Sequence, residues 1–273
     1  SLITNDVTDI SPSTQHDDGL WISTYYRGIE YLDITSGQFT HYNKSTVPGL
    51  PCDQTWTVLD GGDGNLYIGH VGSGFSIFSP KDKSVKNFRN EAGNPMSLPG
   101  NDVFCIIKDV NGNIWLGTNN GLALYDAANE NFITFKNNKN DKYATLCSRI
   151  LSIRQLKDNR LWIASELNGI AILNLKQSMF LSPEEISLEY IQEGADSRSL
   201  SNASARCIFQ DSFDNIWIGT WGGGINFISS KPPLFTTLSY SPIPNNENSL
   251  NNKVASSLCM DRQGRVWIGT DGG

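Results

Sequence analysis

Asn111-Gly112-Asn113-Ile114-Trp115-Leu116-Gly117-Thr118 is the stretch on which the reading of this chain turns, because close copies of it recur from end to end. Asn215-Ile216-Trp217-Ile218-Gly219-Thr220 and Arg265-Val266-Trp267-Ile268-Gly269-Thr270 are nearly verbatim. Gly19-Leu20-Trp21-Ile22-Ser23-Thr24, Asn65-Leu66-Tyr67-Ile68-Gly69-His70 and Arg160-Leu161-Trp162-Ile163-Ala164-Ser165 are looser versions. A second marker, Ser-Leu, recurs at Ser1, Ser97, Ser199 and Ser249, with Leu50 and Leu146 in the same place. Successive leucines lie 48, 48, 48, 54 and 50 residues apart. A period near fifty residues implies units that stack or circle an axis.

Within a unit the pattern predicts four short strands. Val103-Phe104-Cys105-Ile106-Ile107 is a continuous apolar run, as expected of a strand buried on both faces. Asp109-Val110-Asn111-Gly112 supplies a hairpin turn, with Asn and Gly where positive φ is needed. Residues 114–118 form the second strand, 119–121 the next turn, 122–126 an alternating third strand and 132–135 an outer fourth. Residues 29–33, 75–78 and 225–228 read as further third strands, and 39–42 and 187–191 as outer ones. The fourth repeat carries an insertion at 177–185, where Ser182-Pro183-Glu184-Glu185 suits a short helical turn; no long helix is expected.

Four antiparallel strands per fifty residues, with one large aromatic and several glycines per unit, describe a β-propeller blade. The expected fold is therefore an all-β propeller spanning 1–273, with repeats starting near 1, 49, 97, 145, 199 and 249. A single blade cannot bury both its faces. Trp21, Tyr67, Trp115, Trp162, Trp217 and Trp267 are accordingly expected to pack blade against blade, with the glycine two residues later admitting the adjacent sheet. Five repeats are complete and the sixth stops after its second strand. Half a blade leaves unpaired strand edges, so the propeller is expected to continue beyond Gly273 or to take strands from elsewhere. The start at Ser1 rather than Met reads as a mature or trimmed fragment.

Composition narrows the function. With 21 Lys and Arg against 28 Asp and Glu the net charge is −7, and there is no basic block, so nucleic-acid backbone binding is not expected. No run of eighteen apolar residues is present, so no membrane contact by this segment is expected. The five cysteines lack CxxC spacing. Cys105 and Cys207 lie ten residues before their repeat's aromatic, and Cys52 and Cys147 fifteen, as repeated small apolar fillers would.

The units at 114–126 and 216–225, with the Ser-Leu-x-x-Asn-x-Val opening at 97–103, resemble the two-component regulator propeller repeat. Tyr67 in place of Trp and Ala164 in place of Gly depart from it. The resemblance implies the periplasmic sensor region of a hybrid histidine kinase of the kind found in Bacteroidetes, recognising glycan fragments and signalling by rearrangement. A homodimer through the sensor region is an assembly that this resemblance allows. The residues matching the motif are structural ones, so a ligand must be read from positions outside it.

In a propeller the segments leading into the first strands share a face with the loops joining strands two and three, where variation leaves packing undisturbed. The candidates in those loops are Tyr25, Tyr26, Arg27, His70, Asn119 and Glu166, together with Trp221. Near the first strands lie Trp56, Asp102, Arg149 and Arg206. Exposed aromatics beside Arg, Glu and Asn suit an oligosaccharide, whose C–H faces stack on rings while its hydroxyls take polar partners.

Catalysis by this segment is not expected. The three histidines, His16, His41 and His70, sit in no metal-ligand motif, no Gly-x-Ser-x-Gly elbow occurs, and no cofactor or metal is implied. Asp109-Val110-Asn111-Gly112-Asn113 has the opening of a calcium loop without its closing Glu, and the turn alone accounts for it. The spacing Asp-x-x-Gly-x-x-Trp over 109–115 is also similar to the Asp-box of sialidase propellers, without the Ser or Thr two residues before the Asp. The alternatives are a carbohydrate-active propeller enzyme, a lyase or hydrolase, and a purely structural protein-interaction propeller.

Overall fold

The computed structural model describes residues 1–15, 17–135, 143–175, 187–194, 198–231, 240 and 249–271. The chain divides into two compact units, Ser1–Ile228 and Ser229–Gly273. The first holds five successive antiparallel sheets, the blades of an all-β propeller.

The first blade comprises Val7–Pro12 (β1), Gly19–Thr24 (β2), Gly28–Asp33 (β3) and Gln38–Tyr42 (β4). The second comprises Thr55–Asp60 (β5), Leu66–His70 (β6), Phe75–Phe78 (β7) and Val85–Phe88 (β8). The third comprises Val103–Lys108 (β9), Ile114–Thr118 (β10), Gly121–Asp126 (β11) and Asn131–Thr134 (β12). The fourth comprises Ile150–Gln155 (β13), Arg160–Ser165 (β14), Ile170–Asn174 (β15) and Leu188–Ile191 (β16). In the fifth, Ala205–Gln210 (β17), Ile216–Thr220 (β18) and Ile225–Ile228 (β19) form a three-stranded sheet. The described residues of the second unit form one hairpin, Ala255–Met260 (β20) and Val266–Thr270 (β21). The insertion expected at 177–185 lies outside the described residues.

The core lies between blades, because each sheet has two apolar faces and a neighbour is the only cover. Trp21 packs with Val58, Ile68 and Phe78 of the second blade, and Tyr67 with Ile106 and Leu116 of the third. Trp115 packs with Ile150, Ile153 and Ile163 of the fourth, and Trp162 with Ile208 and Ile218 of the fifth. Gly117 meets the expectation of close approach, since a Cβ there would lie 2.7 Å from Ile150 of the next blade.

Trp217 and Trp267 do not follow this rule. They are 40% and 60% exposed: among the described residues, no blade follows the fifth within the first unit to cover Trp217, and within the second unit Trp267 lies in a lone hairpin. Trp217 instead tilts against Phe227 of its own sheet, with ring centroids 4.6 Å apart.

The turn between the first two strands is organised by an aspartate. Asp109 accepts hydrogen bonds from the main-chain N–H of Asn111 and Asn113, the Asn113 side-chain amide and the Trp115 indole N–H, the last at 2.9 Å. Asp211 and Asp261 receive Trp217 and Trp267 in the same way, at 3.0 Å each. The Asp-x-x-Gly-x-x-Trp spacing thus ties a turn to the strand that follows, and the Asp109 oxygens face N–H donors. The fourth blade has Leu156 in the aspartate's place, and the Trp162 indole nitrogen is buried without a partner among the described residues.

Candidate ligand-binding site

Two positions per blade build the site. The first is the residue that follows the second strand. Its N–H donates to the carbonyl just ahead of the first strand: Tyr25 to Asp6, Val71 to Gln54, Asn119 to Asp102, Glu166 to Arg149 and Trp221 to Ser204, at 2.9–3.2 Å. The preceding residue steadies the turn. Thr24, Thr118, Ser165 and Thr220 donate their hydroxyls to the carbonyls of Gly28, Gly121, Gly169 and Gly224, at 2.8–3.0 Å. The loop residue is therefore held at one height on every blade.

The second position is the second residue of the first strand. Register shifts in all five first strands skip this residue, leaving Thr8, Trp56, Phe104, Leu151 and Arg206 unpaired with the second strand. Such a bulge re-aims the side chain of the extra residue. All five line a channel of about 750 Å³ walled by the first strands, together with Asp9, Lys108, Ser152 and Arg154.

Around the channel mouth the side chains form an unbroken series across five blades. Tyr26 meets Tyr25 edge-on at 4.6 Å, Tyr25 meets Trp56 at 6.1 Å, and Trp56 meets Phe104 at 5.5 Å. The Arg149 guanidinium stands 5.1 Å from the Phe104 ring centre and donates to Glu166 at 3.1 Å. Arg206 reaches the other Glu166 oxygen at 3.8 Å and sits over the Trp221 ring at 4.4 Å. Trp221 and Tyr26 are 67% and 57% exposed, so the two ends of the series face solvent. Ring faces beside guanidinium and carboxylate groups supply stacking and hydrogen bonding together.

Seven of the sequence candidates, Tyr25, Tyr26, Trp56, Arg149, Glu166, Arg206 and Trp221, come together here. Arg27 is exposed in the same turn as Tyr26, outside these contacts. The side-chain oxygen of Asn119 accepts the Asp102 N–H at 3.2 Å, which fixes it locally. His70 requires a correction: it occupies the Thr position of the motif, whose side chain points inward, and Val71 holds the loop position. It is fully buried, 2.8 Å from the Ser76 hydroxyl and 3.5 Å from the Cys52 sulfur, and burial pulls its pKa down to about 4. Phe104 and Leu151 were hidden because an apolar residue in an apolar run reads as core. Stacking the repeats on their aromatic exposes the signal, since Trp56, Phe104, Leu151 and Arg206 each lie eleven residues before it, and only Thr8, thirteen before Trp21, falls out of the column.

The architecture defines a propeller whose invariant residues face its blades and whose variable residues face a common mouth. Residues 97–120, 199–222 and 249–272 match the two component regulator propeller. It is 60% identical, with a TM-score of 0.72, to the extracellular domain of a putative hybrid two component system from B. thetaiotaomicron, covering 100% of this chain and 33% of that one. Over 92 residues it is 30% identical to Histidine kinase P4 of Formosa agariphila, covering 33% of this chain and 7% of that protein. A further B. thetaiotaomicron extracellular domain, 20% identical with a TM-score of 0.63, shares the fold over 98% of this chain and 33% of its own. The chain thus spans a third or less of the length of these relatives. It is homologous to extracellular domains of two-component sensors, consistent with an extracytoplasmic region.

Proposed function

We propose that this chain is part of the periplasmic sensor region of a hybrid two-component histidine kinase, and that it recognises an oligosaccharide across the channel mouth. The observation that carries the reading is the series from Tyr26 to Trp221, to which all five blades of the first unit contribute. A sugar laid along it stacks on Trp56 and Trp221 while its hydroxyls meet Arg149, Glu166 and Arg206. A ligand that bridges several blades favours one arrangement of propellers or protomers over another, and only such differential affinity can drive a signal. Catalysis is assigned to the kinase portion elsewhere in the protein.

Calorimetric titration with a panel of plant and host oligosaccharides tests the reading. Binding by one glycan class, weakened at least about tenfold in both Trp56→Ala and Trp221→Ala with thermal stability retained, is the expected result. Silence across the panel, or affinity unchanged in both variants, would overturn it.

A further inference from the structure

The channel carries a charge opposite to that of the chain. The sequence as a whole stands at −7. Among the residues that line the channel, three cations, Arg206, Arg154 and Lys108, face two carboxylates, Asp9 and Asp60. The carboxylates are already engaged. Asp60 accepts the main-chain N–H and hydroxyl of Thr14, the Gly62 N–H and the Trp21 indole N–H. Asp9 accepts the Thr57 hydroxyl at 2.7 Å, the Val58 N–H at 3.3 Å and the Ile10 N–H at 2.9 Å. At the mouth, Glu166 accepts a hydrogen bond from Arg149 at 3.1 Å and lies 3.8 Å from Arg206.

The cations keep capacity. The contact from Arg206 to Glu166, at 3.8 Å, is longer than a hydrogen bond, so its donors remain available. Arg154 is exposed to the channel and forms no ion pair among the described residues. Lys108 gives one of its three protons to the Gly61 carbonyl at 2.6 Å. A cleft of one sign with low-dielectric walls focuses its field on whatever enters. The planar guanidinium matches a carboxylate or sulfate with two parallel hydrogen bonds. The Phe104 and Trp221 rings hold Arg149 and Arg206 in place, which lowers the ordering cost of that match.

We propose that the oligosaccharide is acidic, and that its carboxylate or sulfate enters the channel between Arg206 at the mouth and Arg154 and Lys108 below. This inference rests on the oligosaccharide reading above.

Two matched pairs of probes test it: trigalacturonic acid against its methyl ester, and a chondroitin sulfate tetrasaccharide against its desulfated form. In at least one pair the more acidic member should bind at least about tenfold tighter, and added salt should weaken that member more. Arg154→Gln with Lys108→Gln should erase the preference while leaving the less charged member's affinity in place, and Arg154→Lys should retain part of it. Thermal melting of each variant confirms that it folds. Equal or tighter binding of the less charged member in both pairs overturns the acidic assignment and leaves the oligosaccharide reading standing. So does binding of a neutral glycan from the wider panel when none of the four probes binds. If nothing binds in either experiment, both readings fall.

Discussion

The Arg206 guanidinium sits over the Trp221 ring with 4.4 Å between its carbon and the ring centre, and both residues come from the fifth blade. Arg206 is the bulged residue of β17, and Trp221 follows the end of β18. Repeat geometry alone brings these two positions together on every blade, so what a blade contributes to the mouth depends on which pair of side chains fills them. Here the pair is a cation and an aromatic face. A contact of this kind at an exposed site contributes about 0.5–1 kcal/mol. A double-mutant cycle with Arg206→Ala and Trp221→Ala should give a coupling of that size in ligand affinity, and perfect additivity would show that the two bind independently.

Trp115 and Trp162 should respond differently to replacement by phenylalanine. Both are buried between blades, but the Trp115 indole donates to Asp109 whereas the Trp162 indole has no partner among the described residues. Trp115→Phe removes a hydrogen bond to a carboxylate and should cost about 1–3 kcal/mol. Trp162→Phe should cost clearly less, and urea denaturation of the two variants compares them. Equal losses would show that ring packing alone matters.

His70 should make stability pH-dependent. Burial lowers its folded pKa to about 4, while the unfolded chain titrates near 6.5. The unfolded state therefore binds more protons between those values, so stability falls as pH drops from about 6.5 towards 4 and changes little below. His70→Thr, which restores the residue that other repeats carry, should flatten that limb of the melting temperature plotted against pH. An unaltered limb would assign the acid sensitivity to other groups.

Asp60 should act in a lower window. Burial pushes its carboxyl up, but hydrogen bonds from Thr14, Gly62 and Trp21 outweigh this and hold its pKa below the ordinary value. Its contribution is present above the unfolded pKa of about 3.9 and is lost as pH falls through the folded value. Asp60→Asn should lower the melting temperature at neutral pH and narrow its gap to the native chain in strong acid. A gap that stays constant would deny the charge any role.

Gly117→Ala should be costly for a reason unrelated to turn geometry. Its Cβ would come within 2.5 Å of the Cys105 sulfur and 2.7 Å of Ile150 on the next blade. Overpacking of this kind costs about 1–3 kcal/mol. A melting temperature within error of the native chain would show that the blades can part at no cost.

The strands and turns were legible in the amino-acid order because each repeat carries its own local signals. Strand composition, Asn-Gly turns and the Trp spacing recur with small variation, and six noisy copies reinforce one another. The candidate site was legible in part. Loop residues such as Tyr25, Glu166 and Trp221 stand out as large or charged groups at positions that are free to vary. Phe104 did not, since nothing local separates an apolar residue in a buried strand from one that a bulge turns into a channel. His70 misled because a one-residue difference at a strand end moves a side chain from the mouth to the interior.

By itself, then, the sequence determined the repeat, its four-stranded unit and the propeller class, all of which follow from interactions within about fifty residues. Only the tertiary structure decided that Trp56, Phe104 and Arg206, 48 and 102 residues apart in turn, surround one channel. It also decided that Glu166 is shared by Arg149 and Arg206. The physical reason is that blades pack face against face around an axis, with their first strands lining the channel. Side chains at equivalent positions converge there across long stretches of chain, and no local pattern encodes which neighbour each will find.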